Sequence, residues 1–276
     1  MRYLIGSFRF LLIALYILFL IFFAVLVLPV LTDGTRAAWI RRLAGVVPRI
    51  MGVRVRVSGG IPDADAVTLG RRQGKTGYMV CSNHISFLDI FLLDSILPVR
   101  FVAKKEIESW PVFGLISRAA GTLFIDRSRR RAVLEMAEKM NESLRAGESV
   151  LFFPEGTTGE GRVLLPFYAN LFASAVATEA ELIPVVIRYT QKGEITTIPS
   201  YAGNIPLFTV MKRIVFSSGL EAEVQVLEPI SSAGVDRKTL CAQTSAVMSA
   251  ALGVPDATAA KEEAVRQRRE AALKHD

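Results

Sequence analysis

The feature that most constrains this chain is a run of 22 residues without a charge, Phe10 to Leu31. As a helix rising 1.5 Å per residue, the run would be about 33 Å long, against a bilayer hydrocarbon core of roughly 30 Å. A secretory signal has a shorter apolar stretch, roughly 7 to 15 residues, and a small-residue cleavage site. Here the run closes on Pro29, Val30 and Leu31 and passes into Thr32, Asp33 and Gly34, which predicts a retained anchor. Arg2 and Arg9 come before it and Arg36, Arg41, Arg42 and Arg49 after it, a balance that favours a cytoplasmic main body. The flanks are nearly matched and Pro29 can kink the segment, so a span and a half-embedded hairpin both fit. Ala37 to Ile50, with Trp39, Ile40, Leu43, Val46 and Val47 among arginines, predicts an amphipathic piece along the membrane surface.

The remaining chain is globular in character. With 276 residues, 51% hydrophobic and 21% charged, it is neither disordered nor collagen-like, and it is long enough for one or two packed domains. The net charge of +7 is spread over the arginines after the anchor, Arg127 to Arg131, and a tail with Lys261, Arg266, Arg268, Arg269 and Lys274. Anionic lipid head groups are the partner this predicts for an anchored protein. No aromatic residues interleave with Arg129 to Arg131 as a stacking platform requires, so nucleic acid is not an expected partner. Two cysteines, Cys81 and Cys241, exclude a disulfide framework, and with two histidines they supply too few ligands for a zinc site.

Strand and helix signals alternate. Val53, Val55 and Val57 alternate with Arg54 and Arg56, the period of a half-buried strand. Further strands are predicted at Tyr78 to Cys81, Phe101 to Ala103, Thr122 to Ile125, Val150 to Phe153, Ile183 to Ile187, Ile214 to Ser217 and Glu223 to Leu227. Helices are predicted at Ser86 to Ile96, Pro111 to Ala119, Arg130 to Leu144, Tyr168 to Ala177 and Arg237 to Leu252. This rhythm predicts a three-layer α/β domain around a mainly parallel sheet, preceded by the membrane helix or hairpin. The expected organisation is an anchor over residues 1–50, one domain over 51–255 and a charged tail over 256–276.

Histidine is the scarcest informative residue. His275 sits beside the end of the chain, which leaves His84 as the one histidine placed for catalysis. It lies between an apolar strand and a helix, at the carboxyl edge where open parallel sheets bind ligands. Ser86 can cap that helix, and Asp89 in its first turn can reach back to one ring nitrogen while the other takes a proton from a hydroxyl. A bland alternative is that His84 satisfies a strand-end carbonyl and Asp89 caps the helix. A second loop of the same kind holds Glu155, Gly156 and Thr157, where a carboxylate and backbone amides could take hydroxyl or head-group atoms. Two further strand ends carry Arg127 and Lys104, cations suited to an anionic ligand, although Arg127 could simply pair with Asp126.

In order along the chain stand Asn83-His84-x-x-x-x-Asp89, Gly121-x-x-Phe124-Ile125-Asp126-Arg127, Phe153-Pro154-Glu155-Gly156-Thr157 and Ile183-Pro184-Val185-Val186. Together they resemble the glycerolipid acyltransferase family that includes 1-acylglycerol-3-phosphate acyltransferases, over about Val53 to Tyr189. The resemblance implies acyl transfer from an acyl-carrier-protein or coenzyme A thioester to a lipid hydroxyl, with no metal and no cofactor beyond that co-substrate. It implies His84 as general base, Asp89 as its orienting partner, and Glu155, Gly156, Thr157, Arg127 and Lys104 around the acceptor. A thioester is already activated, so attack by a hydroxyl needs a base and no enzyme nucleophile. Phosphatidate-forming members usually carry Arg after Glu-Gly-Thr, whereas this chain has Thr158. In that respect it is similar to members that acylate lyso-ornithine lipid, an acceptor with an amino-acid head group and no phosphate. The expected product is phosphatidate, ornithine lipid or both, made at the cytoplasmic side of the cytoplasmic membrane, with acyl carrier protein as donor partner.

Three rival readings make distinct predictions. A membrane-bound lipid or thioester hydrolase would use the same His84 and Asp89, with Cys81, Ser82 or Ser86 as nucleophile, but no Gly-x-Ser-x-Gly elbow occurs. Gly70-Arg71-Arg72-Gln73-Gly74-Lys75-Thr76 resembles a P-loop, but it is one residue short and runs into a strand signal instead of a helix. A non-enzymatic basic membrane scaffold would need neither His84 nor Glu155.

Overall fold

The computed structural model describes residues 2–60, 71–72, 74–97, 99–126 and 130–258. The expectations placed on Arg127, on the Gly70 and Gln73 positions of the P-loop-like stretch, and on the basic tail from Lys261 to Lys274 lie outside them. The sheet is built from β1 (Val53–Ser58), β2 (Met79–Ser82), β3 (Arg100–Lys104), β4 (Leu123–Ile125), β5 (Val150–Phe152), β6 (Leu182–Gln191), β7 (Glu194–Ile195) and β8 (Leu220–Val226). Its order is β1-β8-β6-β2-β5-β3-β4, with β7 paired to β6. Every lateral pair is parallel except β6 with β8 and β6 with β7, so the sheet is mainly parallel as expected.

Burial follows from sequence at the level of single strands. β2 and β5 are buried at every position, which is why they read as unbroken apolar runs: a central parallel strand is covered on both faces. β8 alternates, with Leu220, Ala222, Val224 and Val226 buried and Glu221, Glu223 and Gln225 on the other face. One core gathers Val80, Leu151, Ile183 and Ile187 with α1 (Arg2–Leu26), α3 (Val46–Ile50) and α4 (Leu88–Asp94). A second core, on the opposite face, gathers Met79, Phe152 and Leu182 with α7 (Arg130–Arg145), α8 (Ala173–Thr178) and α10 (Arg237–Leu252). The result is three layers.

The N-terminal segment is joined to this body. α1 carries exposed Leu4, Phe8, Leu11, Leu15, Leu18, Phe22 and Leu26, a stripe at spacings of three and four that occupies one helix face. Its other face packs inward: Ile13 and Leu20 belong to the same core as Val80, and Tyr16 donates to the Leu43 carbonyl at 2.8 Å. The Ala37 to Ile50 region forms α2 (Asp33–Ala44) and α3, with Ala37, Ala44, Val47 and Pro48 buried. Packing therefore continues across residue 50.

One strand assignment is corrected. Ile214 to Ser217, expected as a strand, contains the end of α9 (Leu207–Val215) and the turn after it. Val210 and Ile214 are buried one helical turn apart while Lys212 and Arg213 are exposed. A four-residue apolar run carries too little periodicity to separate the two states. The remaining helix is α6 (Phe113–Ala119), preceded by the single turn α5 (Lys105–Glu108).

Candidate active site

The site forms where β2 and β5 end, between β6 and β3. Asn83, the first residue beyond β2, exchanges two hydrogen bonds with the Ile187 backbone of β6, its Nδ2 donating at 2.9 Å and its Oδ1 accepting at 2.8 Å. The side chain thus replaces one rung of sheet pairing and holds the next residue, His84, at the strand end. The His84 carbonyl accepts from Gly159 N at 2.7 Å, and its ring stacks on Phe153 with centroids 3.8 Å apart and planes 12° from parallel. The imidazole is fixed on one side by a ring and at its root by two loops.

Asp89 is fully buried. Its Oδ2 lies 2.9 Å from His84 Nδ1 and accepts from Ile85 N at 2.6 Å and Ser86 N at 2.8 Å, while Ser86 Oγ accepts from Leu88 N at 3.3 Å. Ser86 and Asp89 therefore cap the helix reciprocally, and α4 begins at Leu88, two residues later than expected. Asp89 Oδ1 accepts from the Tyr189 hydroxyl at 2.7 Å. Tyr189 is 1% exposed, and burial, then the Asp89 charge, hold its phenol well above the ordinary range. Sequence reasoning missed Tyr189, because the expected strand ended at Ile187, two residues short. With Nδ1 tied to Asp89, Nε2 is the His84 nitrogen left for a substrate proton.

Glu155 departs from its expected place at the acceptor. It is 4% exposed; Oε1 accepts from His84 N at 2.7 Å and Oε2 from Leu165 N at 3.0 Å. Both oxygens are spent on backbone amides, as a buried carboxylate requires, so it braces the His84 loop against the loop carrying Leu165. Burial pushes its carboxyl up to about 8 against the pull of those two amides, and the Asp89 charge adds to the rise. Gly156 adopts φ +67° and donates to the Phe153 carbonyl at 3.1 Å, which closes the tight turn after β5.

A cavity of about 470 Å³ opens beside the histidine. His84, Lys104, Gly156, Thr157 and Thr158 line it, together with Phe101, Phe153, Ile107, Trp110 and Tyr201. The structure thus brings His84, Lys104, Gly156 and Thr157 to one cavity, with Asp89 behind the histidine and Glu155 beneath it. Thr158 donates its hydroxyl to the Tyr201 carbonyl at 2.6 Å, and Tyr201 N donates to Ile85 O at 2.8 Å. The loop before α9 is latched onto the histidine loop through these bonds. A larger cleft, about 670 Å³, lies over the polar face of β1 and β8, but its Glu221 and Glu223 are paired with Arg54, Arg56 and Arg188 and no histidine lines it.

Comparison with known proteins fits this geometry. The acyltransferase family model matches residues 55–188, which contain His84, Asp89 and Glu155 and stop one residue before Tyr189. A lyso-ornithine lipid O-acyltransferase of Pseudomonas aeruginosa is 33% identical over 214 residues, covering 78% of this chain and 76% of that protein. The chain belongs to the acyltransferase family. A 1-acyl-sn-glycerol-3-phosphate acyltransferase of Neisseria gonorrhoeae is 43% identical over 149 residues, 54% of this chain and 58% of the relative, so the match spans under two thirds of that enzyme's length. The crystal structure of the 1-acyl-sn-glycerophosphate acyltransferase PlsC from Thermotoga maritima superposes with a TM-score of 0.66 at 21% identity, covering 92% of this chain and 97% of that one. This likeness establishes the fold shared with that acyltransferase.

Proposed function

We propose that the chain is a lysolipid O-acyltransferase. The observation that carries this is His84, tied through Nδ1 to buried Asp89 and lining a mostly apolar cavity. His84 Nε2 takes the proton of the acceptor hydroxyl as its oxygen attacks the thioester carbonyl. The carbon–sulfur bond then breaks, and the leaving thiol recovers the proton from the imidazolium, giving an ester and a free thiol. Acyl carrier protein or coenzyme A carries the thioester. The basic surface supports an acidic carrier protein as the partner, and no further cofactor enters the reaction.

Two acceptors belong to the proposal, 1-acylglycerol 3-phosphate and lyso-ornithine lipid. The second is favoured by Thr158, whose hydroxyl is committed to Tyr201 and offers no guanidinium for a phosphate. Lys104 and Glu106 both line the cavity, a cation and a carboxylate that complement the two charges of an amino-acid head group. Gly156 and Thr157 line the acceptor's place, and Arg127 is proposed to add a cation there.

The helix of α1 meets the length and hydropathy for crossing a membrane, and the relatives are acyltransferases whose named acceptors are acylated amphiphiles. Because one of its faces packs on the body along the whole helix, we read the chain as embedded in one leaflet, on the cytoplasmic side as the arginines after α1 favour. The test is acyl transfer in mixed micelles with a labelled thioester, both acceptors in parallel and His84→Ala as control. The variant should lower turnover at least about 10²-fold. Retained turnover in folded variant protein removes the proposed base, and hydrolysis without transfer replaces the acyltransferase by a hydrolase.

A further inference from the structure

Helix α9 is an element sequence reasoning missed, and it lies against the N-terminal part of α1. Phe10 meets Phe208 edge to face at 5.3 Å, and Tyr3 meets Phe216 at 6.1 Å. The contacts run in opposite directions along the two helices, so the pair is antiparallel. Gly6 allows the approach, since a Cβ there would overlap the Phe216 ring. Arg9 seals the far end, its Nη1 donating to the Val215 and Ser217 carbonyls at 3.3 Å each, which places a cation at the C-terminus of α9.

This pairing leaves one side of α9 uncovered. Val210, Ile214 and Val215 are buried, whereas Phe208 is 62% exposed. Burying a phenylalanine of this exposure would be favourable, and through Phe10 it adjoins α1, whose Leu4, Phe8 and Leu11 are also exposed. Lys212 lies one turn from Phe208 on the same helix face, and Arg213 is exposed beside it. Apolar residues at one level with cations a turn away suit a helix that enters the bilayer surface end-on, its cations kept at head-group depth.

We propose that α9 is a second membrane-contacting helix, with Phe208 entering the acyl region beside α1 and Lys212 and Arg213 engaging anionic head groups of the same leaflet. The occupant is a lipid surface because the exposed Phe208 sits directly against α1, the helix with the exposed apolar stripe, and this rests on the one-leaflet placement of that helix. The chain then meets the leaflet through two antiparallel helices, and α9 connects directly to the loop whose Tyr201 lines the cavity.

The experiment uses the full-length protein with Phe208→Cys carrying an environment-sensitive dye, reconstituted in vesicles of phosphatidylcholine with phosphatidylglycerol. Native Cys81 and Cys241 are buried, so labelling is confined to the new thiol, and Lys238→Cys on the opposite layer is the control. The dye at 208 should be quenched by spin labels on shallow acyl carbons and shielded from aqueous iodide, and the dye at 238 should show the reverse. Iodide quenching at 208 equal to that at 238 overturns the proposal. In a competition between anionic and neutral vesicles, Lys212→Gln with Arg213→Gln should reduce the preference for anionic vesicles about 25-fold, at roughly a fivefold loss per cation. An unchanged preference overturns the head-group assignment. Turnover of a short-chain monomeric acceptor in detergent should be unaffected by either change, which separates failure here from failure of the acyltransferase reading.

Discussion

Replacing Tyr189 with phenylalanine tests the catalytic architecture at its least obvious point. The ring stays and its packing with it, so only the hydroxyl that donates to Asp89 Oδ1 at 2.7 Å is lost. Asp89 is fully buried, and no other described hydrogen bond reaches that oxygen, so no water-facing alternative replaces the phenol. A hydrogen bond to a buried charge contributes about 1.5–3 kcal/mol, which for a chain of this size corresponds to a Tm lower by about 3–12 °C. A purely structural tyrosine would lower Tm alone. A tyrosine that positions the pair also changes the proton transfer, because the carboxylate left with one fewer donor holds the imidazolium more strongly. The acid limb of the pH–rate profile therefore moves to higher pH. Thermal unfolding in detergent and rates from pH 5 to 9 measure both. A Tm within 1 °C of the parent, or a lower Tm with an unmoved acid limb, would refute the reasoning.

Glu155 predicts a pH dependence of stability. Its carboxyl titrates at about 8 when folded, against about 4.3 for an unperturbed glutamate, so between these values the folded state holds more protons than the unfolded one. Stability contributed by this group is fully present below the lower value and is lost as pH rises towards 8, by at most about 5 kcal/mol. Urea unfolding in micelles at a series of pH values should show this slope in the parent and its absence in Glu155→Gln; identical slopes would remove it. Thr158→Arg should break the bond to the Tyr201 carbonyl and raise the ratio of phosphate-bearing to amino-acid acceptor used in parallel assays. An unchanged ratio would place acceptor discrimination elsewhere in the cavity.

What could be read from sequence was what is local. His84 and Asp89 are five residues apart on one strand–turn–helix passage, so their meeting is dictated by the geometry of a first helical turn. The strands β2 and β5 announce themselves as apolar runs because both faces are covered. Tyr189 completes the same hydrogen-bonded set from 100 residues away, and no periodicity signals which strand position will face Asp89. Glu155 was legible as a carboxylate at a strand end, but its direction was not, since that depends on the amides of His84 and Leu165 and on the depth of burial. The Ile214 to Ser217 run misled because buried one-turn spacing and strand alternation coincide over four residues; only its continuation back to Leu207 separates them.

The pairing of α1 with α9 sets an order of events during synthesis. Arg9 leaves the ribosome 206 residues before Val215, whose carbonyl it grips in the finished structure. At roughly 5–20 residues per second, that is a wait of about 10–40 s. Throughout it, the inner face of α1, with Ile13 and Leu20, has its early partners around Leu43 and Val47 but still lacks α9 and the strands β6 and β8 of the shared core. A newborn chain in this condition has one solvent that suits both faces at once, the bilayer. The helix is thus delivered to the membrane before the domain that it anchors exists, and the body folds onto an element already in place.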